Sequence, residues 1–224
     1  MKGTLVNTGT VMLGSLIGLA VGARLPEKVK QIVMNSLGLC TLLIGFKMAF
    51  KGEQILLIIG SLVLGGIIGE LLDIEGWLER LGEKIKKRVK SESGNFVVGF
   101  VTASLVFCVG PMTVVGSIED GIRGDASILY AKSVLDGFAS IAFASGLGVG
   151  VLFSAVTVLV YQGLLTLLGQ KLSFLLDQHV LNELTATGGL MIVGIGLLLL
   201  DIKKVRVGNF LPALVIVIIL AFIF

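Results

Sequence analysis

Side chains that could perform chemistry are scarce in this sequence. Its 224 residues include one histidine, two cysteines and three prolines, and only 15% of them are charged. His179 alone cannot supply the ligands of a zinc or haem site, and a Ser-His-Asp hydrolase would need it to meet a distant serine. Cys40 and Cys108 lie in apolar segments far apart in sequence, a pattern that favours small buried thiols over a disulfide. We therefore expect no enzyme activity, no bound metal and no cofactor.

Apolar residues are what the chain has in abundance. They make up 55% of it, against roughly 45–50% in soluble domains, and the mean hydropathy is +1.01. Apolar runs of about 20 residues recur along the chain, each long enough to cross a hydrocarbon core about 30 Å thick. The net charge of +3 forms no basic patch with aromatic residues, so we expect no nucleic-acid partner. The sequence predicts an all-α polytopic membrane protein whose partner is the lipid bilayer.

We predict about eight transmembrane helices, with seven as the alternative because Gly110-Pro111 interrupts the fourth. The first helix could instead be a cleavable signal peptide, but its similarity to a later segment favours a span. Lysine and arginine fall mainly in the loops after the first, third and seventh spans. This distribution predicts that both termini lie on the extracytoplasmic side. The predicted spans cover residues 3–22, 30–50, 54–72, 96–116, 126–146, 148–169, 186–201 and 208–224.

Residues 1–224 are expected to form a single transmembrane domain with a weak internal repeat. "GLCTLLIGF" at 38–46 aligns with "GLMIVGIGL" at 189–197, which predicts three-helix repeats over about 1–72 and 148–224 around a central broken-helix pair, 96–146. If two crossings lie between the copies, one copy is inverted relative to the other, a common construction of secondary transporters. Chance alignment of Gly- and Leu-rich helices is the alternative.

Two further patterns concern the surroundings of the chain. Residues 74–90 carry apolar side chains at helical spacing, and we expect an amphipathic helix on the cytoplasmic face with Trp77 among the lipid headgroups. A solvated helix packed on neighbouring loops is the alternative. The glycine series at 14, 18 and 22, and the pair at 65 and 69, permit close helix packing within the chain or between subunits of a homo-oligomer.

The fourth span is interrupted by a Gly-Pro pair and then becomes polar. Pro111 removes one backbone donor and Gly110 eases unwinding, and in a bilayer such a break is tolerated only where protein or water covers it. Thr113, Ser117 and Asp120 follow on one helical face. The break therefore predicts a cavity lined by this face. Alternatively, Glu119 and Asp120 belong to a solvated turn that continues to 125.

The fifth span holds two opposite charges, Lys132 and Asp136, four residues apart on one face. Ser133 and Ser140 extend this face, and Asn7 on the first span could reach the same cavity. Each charge costs about 2.5–3.5 kcal/mol at a helix centre on insertion scales. One interpretation is a purely structural ion pair. A second is that Asp136 changes its proton or ion partner during transport, with Lys132 tuning it. A third is that both residues lie at a shallower depth and snorkel to the membrane surface.

Three stretches carry a resemblance to a known family: "GTLVNTGTVMLGSLIG" at the start, "FCVGPMTVVGSIEDG" at the break and "KSVLDGFASIAFASGLGVGVLFSA" in the fifth and sixth spans. Over essentially its full length the chain resembles the bacterial membrane family of domain of unknown function 554. The resemblance implies a multispanning inner-membrane protein suspected of transport, without naming a substrate.

The sequence thus favours transport of a small polar solute or ion through a midplane site, coupled to an ion or proton. In this hypothesis Asp136 carries the coupling ion or proton and Lys132 tunes it. Thr113 and Ser117 contact the solute, and Gly110 and Pro111 contribute unwound backbone. An ion channel is the first alternative, and a membrane scaffold or sensor without transport is the second. The full set of candidate solute- or ion-binding residues is Asp136, Lys132, Ser133, Ser140, Gly110, Pro111, Thr113, Ser117 and Asp120.

Overall fold

The computed structural model describes residues 1–88 and 94–224, and over these ranges the chain is helical with no strand. Apolar segments that lack water must satisfy their backbone groups internally, which is why they form helices. Two short 3-10 helices, Ser173–Leu176 and Val207–Phe210, precede the last two α-helices. The α-helices are α1 (Lys2–Gly22), α2 (Glu27–Ala49), α3 (Ile55–Leu71), α4 (Ile74–Arg88), α5 (Phe96–Cys108), α6 (Pro111–Arg123), α7 (Ser127–Leu147), α8 (Gly150–Leu167), α9 (Gln178–Leu199) and α10 (Leu211–Ile223).

Among the residues described, five helices are long and apolar enough to cross a membrane: α1, α2, α7, α8 and α9. Counting each of the bent pairs α3–α4 and α5–α6 as one span raises the number to seven. Seven is also the lower of the two predicted counts, but here it includes the broken fourth span, α5–α6, and leaves out the eighth. The eighth predicted span corresponds to α10, whose 13 residues extend only about 20 Å at 1.5 Å per residue. Large apolar side chains cover the helix surfaces, as contact with lipid requires.

The chain divides into two compact units, each built from two separate stretches. Unit 1 comprises Met1–Met34 and Leu81–Phe174, and unit 2 comprises Asn35–Arg80 and Leu175–Phe224. Neither unit coincides with one of the predicted repeat copies. Helices α1, α5, α6, α7 and α8 belong to unit 1, and helices α3, α9 and α10 belong to unit 2.

In unit 1, α1 and α7 run parallel and approach closely along a glycine face. A Cβ at Gly14 would overlap the backbone of Gly137, and one at Gly18 would overlap the carbonyl of Ile141. Gly22 meets Ser145 in the same way. This series packs inside the chain, which is the first of the two predicted alternatives, and the homo-oligomer stays a prediction. In unit 2 the backbones of Ala213 and Asn209 cover Gly65 and Gly69 similarly.

In unit 2 the two segments of the predicted repeat touch each other. Gly45 of α2 meets Val193 of α9, and Gly196 of α9 meets Leu42 of α2. Farther out, Gly38 lies against Leu200. Residue numbers rise along α2 as they fall along α9, so the two helices are antiparallel. An inverted repeat requires opposite directions of this kind, and the repeat itself stays a prediction.

The amphipathic segment forms α4, which ends at Arg88 in the described part of the chain. Val89 and Lys90, which the predicted helix 74–90 includes, lie outside the described residues. Trp77 is 57% exposed, whereas Leu78 and Leu81 are half-buried. An exposed tryptophan on an amphipathic helix is typical of a residue placed at the lipid headgroups.

The two cysteines differ from the expectation that both are buried. Both thiols are free, and Cys108 is buried, but Cys40 is exposed. Cys40 shares the outward side of α2 with Leu39 and Leu43, which are 62% and 70% exposed. Apolar character in a membrane helix does not separate a lipid-facing residue from one in the protein interior, and this is why the prediction for Cys40 was wrong.

Candidate functional site

Helix α7 turns its polar face inward. The exposed residues of the opposite face are Val134, Leu135 and Phe138, at 57%, 59% and 71%. The sequence predicted this division, because two charges in an apolar segment are stable only away from lipid. On the inward face Lys132, Ser133, Asp136 and Ser140 are all buried.

Lys132 and Asp136 form an ion pair between Nζ and Oδ2. The same carboxylate oxygen accepts a hydrogen bond from Asn7 Nδ2 of α1 at 3.0 Å. The two charged side chains are only 7% and 12% exposed, so their mutual attraction must offset most of the cost of leaving water. Pairing was one of the interpretations that the sequence left open, and the role of Asp136 in transport stays a prediction.

The ion pair continues into a hydrogen-bonded network that joins three helices of unit 1. Asn7 Nδ2 also donates to Gln162 Oε1 of α8 at 3.0 Å, and Gln162 Nε2 donates to Thr4 Oγ1 at 3.3 Å. The hydroxyls of Thr4 and Thr166 lie 3.2 Å apart. We call this set the polar cluster: Thr4, Asn7, Lys132, Asp136, Gln162 and Thr166.

One acceptor of the polar cluster has no partner among the described residues. It is Asn7 Oδ1, and Asn7 itself is completely buried. An unpaired buried acceptor costs about 1–3 kcal/mol, so its presence beside an ion pair needs an explanation other than stability. An amide oxygen next to a carboxylate and an ammonium group is suited to contact a polar solute or a cation.

Gln162 and Thr166 were not among the predicted site residues. They lie four residues apart in a helix without charged residues, and this spacing was the signal that could have found them. Neutral polar residues are common in membrane helices as interhelical hydrogen-bonding groups. For that reason the pair did not stand out as the two charges did.

The predicted break lies where the Gly-Pro pair placed it. Helix α5 ends at Cys108, α6 begins at Pro111, and the two are bent by 61°. Pro111 cannot donate to the carbonyl of Phe107, four residues earlier, and the hydroxyl of Thr113 donates to that oxygen instead, at 3.0 Å. Thr113 therefore stabilises the break, with its hydroxyl hydrogen already used.

The face of α6 that follows the break is buried, as its spacing predicted. Thr113, Ser117 and Asp120 are 1%, 0% and 5% exposed. Ser117 Oγ has no hydrogen-bond partner among the described residues. Asp120 Oδ2 lies 2.8 Å from the amino group of Met1 and accepts the backbone N–H of Gly3 at 3.2 Å. Asp120 thus holds the start of α1, and these recorded contacts are not with side chains of the polar cluster.

The alternative prediction of a solvated turn over residues 119–125 was wrong for residues 119–123, which are helical. Glu119 and Asp120 lie inside α6, and Glu119 pairs with Arg123 at 3.3 Å. The helix stops at Gly124, whose φ of 71° is the left-handed conformation that favours glycine. The ion pair of Glu119 with Arg123 and the inward contacts of Asp120 stabilise α6 beyond residue 119, where the polar sequence had suggested a turn.

Ser133 and Ser140 donate to carbonyls of their own helix, those of Leu129 and Asp136, both at 2.6 Å. Their hydroxyl hydrogens are thus used locally, while their oxygens can still accept. A cavity of about 380 Å³ in the same unit lies at the C-terminal ends of α1 and α7 and is lined by Gly22, Ser145 and Gly148, among others. None of the predicted site residues lines it, and the chamber between Pro111 and Asp136 stays a prediction.

Comparisons with known proteins identify the family. The model of a family described as protein of unknown function, DUF554, matches residues 2–222. The chain belongs to this family. It is 31% identical to the uncharacterized membrane protein YdfK of Bacillus subtilis, with 96% of this chain and 93% of that protein covered. It is 30% identical to the uncharacterized protein YqgA of Escherichia coli, with 95% and 92% covered. No solved structure matches the chain. The family, the relative YdfK and the apolar helices together make this a membrane protein.

Proposed function

We propose that this protein is a secondary transporter of the inner membrane that moves a small polar solute or ion, coupled to a proton or another ion, with both termini on the extracytoplasmic side. The observation that carries the proposal is the buried ion pair of Lys132 and Asp136, hydrogen-bonded to Asn7 of another helix. Ionisable residues in membrane helices are costly, and they commonly mark the routes of solutes and protons.

The polar cluster has the chemistry that coupling needs. Asp136 binds a cation, Lys132, and exchanging that partner for a proton or a metal cation would free the ammonium group to hold an anionic solute. The side chain of Asn7 donates a hydrogen bond to Asp136 through Nδ2, and its Oδ1 has no partner among the described residues. In this proposal Asp136 carries the coupling ion, and Lys132 switches between Asp136 and the solute. Asn7 Oδ1 contacts either the coupling ion or the solute.

Two features outside the cluster support a transporter over a scaffold. The broken helix α5–α6 is a feature of transporters in which interrupted helices meet at the substrate site, and Ser117 on its second half has a buried hydroxyl without a partner in the described ranges. The antiparallel contact of α2 with α9 has the direction that an inverted repeat requires.

The test uses the full chain in proteoliposomes that contain a pH-sensitive dye. Proton movement is followed after adding, one at a time, amino acids, carboxylates, inorganic phosphate, sugars and alkali cations. At least one class should drive proton movement, and Asp136→Asn should abolish it because an amide cannot exchange a proton. Glu119→Gln is the matched control, since Glu119 pairs with Arg123 and not with a residue of the cluster.

Two results would contradict the proposal. Equal solute-dependent proton movement in Asp136→Asn and in the wild type would remove Asp136 from the mechanism. Flux that rises linearly with solute and greatly exceeds carrier turnover would identify a channel instead.

A further inference from the structure

Helix α9 begins with a stripe of polar side chains that is separate from the polar cluster. His179, Glu183 and Thr187 follow one another at intervals of four residues, so they share one helical face, about 6 Å apart along the axis. Each has one buried side-chain atom with no hydrogen-bond partner among the described residues: His179 Nε2, Glu183 Oε2 and Thr187 Oγ1. We call these three residues the α9 stripe.

Exposure falls along the α9 stripe. The side chain of His179 is 30% exposed, while Glu183 and Thr187 are completely buried. The stripe therefore runs from an accessible end, at the first turn of α9, toward the interior of unit 2.

Glu183 is held at one oxygen and unpaired at the other. Its Oε1 accepts the backbone N–H groups of Glu53 and Gln54, at 2.7 and 2.9 Å, just before α3 begins. These bonds satisfy donors at the start of α3, where the positive end of the helix dipole also favours a carboxylate. Its Oε2 is beside Gly52, where an added Cβ would lie 3.5 Å from it.

Few other charged groups face this stripe. A Glu53 oxygen lies 4.0 Å from His179 Nδ1, and Asn182 Nδ2 donates to Glu53 at 2.9 Å. Asp177 accepts the backbone N–H of His179 and so caps α9. No cation is recorded against Glu183 in the described ranges, in contrast to Asp136.

Water is the ligand that satisfies all three unpaired atoms. Each such atom, if left dry, costs about 1–3 kcal/mol, and buried polar groups without protein partners usually bind ordered water. Water both donates and accepts, as an imidazole nitrogen, a carboxylate oxygen and a hydroxyl together require. Within the described residues no group of three or more His, Cys, Asp or Glu side chains could hold a metal ion.

We propose that the α9 stripe lines a narrow water-filled path through which Glu183 exchanges a proton with the medium. A hydronium ion that enters past His179 delivers its proton to Glu183 Oε2 and leaves as water. The carboxylate becomes a carboxylic acid and keeps Oε1 on the start of α3. This inference concerns unit 2 alone and does not depend on the role proposed for Asp136.

The first experiment measures whether water reaches the deep end of the stripe. In the full chain with Cys40→Ser and Cys108→Ala, Thr187→Cys is compared with Thr185→Cys, which is 3% exposed and on the opposite side of α9. The probe is silver ion, which reacts with thiols and is small enough to enter a narrow hydrated path. The thiols that have not reacted are then counted by maleimide labelling after denaturation. Thr187→Cys should react about tenfold faster or more, since a thiol reached only by local opening reacts slowly. Equal rates would overturn the path.

The second experiment reads the proton on Glu183 directly. Infrared difference spectra of the full chain on acidification should show the carbonyl band of a protonated carboxyl in an apolar site. The band should persist in Glu53→Gln, where an exposed carboxylate is removed, and should be lost in Glu183→Gln, whose amide oxygen can still bind the start of α3. An unchanged band in Glu183→Gln would overturn proton exchange at this residue. So would a band that disappears when sodium replaces potassium at constant pH, because it would report binding of a cation and not of a proton. Because the silver measurement leaves Glu183 intact, it tests the path even if Glu183→Gln does not fold.

Discussion

Each unit buries a carboxylate, and the two units stabilise it differently. Asp136 in unit 1 is paired with the cation Lys132 and with the amide of Asn7. Glu183 in unit 2 is held by the two backbone N–H groups before α3 and retains one oxygen without a partner in the described chain. An ion pair ties the carboxylate to a second charge that is itself costly when left alone. Backbone donors create no such dependence, so the two sites should respond differently to the loss of the carboxylate.

The largest effect is expected in unit 1. Asp136→Ala leaves Lys132 buried without its counter-charge and should lower the free energy of unfolding by about 3–5 kcal/mol. Combining Lys132→Met with Asp136→Asn removes both charges and should recover most of that loss. Glu183→Gln should cost only about 1 kcal/mol, because the amide oxygen still accepts from the backbone. Unfolding in mixed micelles measures the free energy of unfolding of all three variants. If Asp136→Ala and the double variant lost the same stability, the unpaired charge of Lys132 would not be the cause and the difference drawn between the two units would be contradicted.

An intermediate effect is expected where glycine permits close helix contact, and here the two units should behave alike. Gly18→Ala in unit 1 and Gly45→Ala in unit 2 each place a Cβ against backbone of the neighbouring helix, which should destabilise the protein by about 1–3 kcal/mol. Gly9→Ala and Gly60→Ala are the matched controls, since nothing lies within 4 Å of an added Cβ at either position. Thermal unfolding in detergent measures the difference. Controls as destabilised as the tests would show that close helix contact does not set the loss at these sites, because alanine has the higher helix propensity.

The smallest effect concerns pH and two neighbouring acids of unit 2. Burial raises the pKa of Glu75, although its carboxylate accepts the N–H of Gly208. The stabilising contribution of Glu75 is therefore complete below its ordinary pKa of 4.5 and is lost as the pH rises through its folded value. Arg80 lowers the pKa of Asp73, whose contribution is present above 3.8 and is lost as the pH falls.

Melting temperatures between about pH 2 and 8 test these opposite signs, because this range includes the acid side of 3.8 where the contribution of Asp73 is lost. Glu75→Gln should become progressively more stable than the wild type as the pH rises, because glutamine carries no charge to bury. Asp73→Asn should melt at a lower temperature than the wild type at neutral pH, and this difference should shrink as the pH falls below 3.8. The same trend in both variants would show that general charge repulsion, not these two sites, sets the pH dependence.

How far the sequence predicts this molecule depends on whether a feature is local. The break at Gly110-Pro111 and the inward face of Lys132 and Asp136 follow from backbone chemistry and from the cost of charge in lipid, so both were predicted. The exposure of Cys40 was not, because an apolar helix gives no sign of which side faces protein.

Features that depend on tertiary contact could not be predicted from local pattern. Thr113 was expected to contact solute, but its hydroxyl donates to the Phe107 carbonyl freed by the break. The partner of Asn7 on α8, Gln162, is a neutral amide in an apolar span and gave no signal comparable to a charge. His179 and Glu183 of the α9 stripe lie before residue 186, where the seventh span was predicted to begin, and their importance comes from Glu183 reaching the start of α3.

The central claim is that the ion pair of Lys132 and Asp136 performs coupling and does not only stabilise unit 1. The most direct measurement is solute-dependent proton movement in proteoliposomes containing the doubly neutral variant, Lys132→Met with Asp136→Asn. The account predicts a protein as stable as the wild type, or nearly so, that moves no protons with solute. Wild-type proton movement by this variant would contradict it, because a pair that can be neutralised without loss would be structural alone.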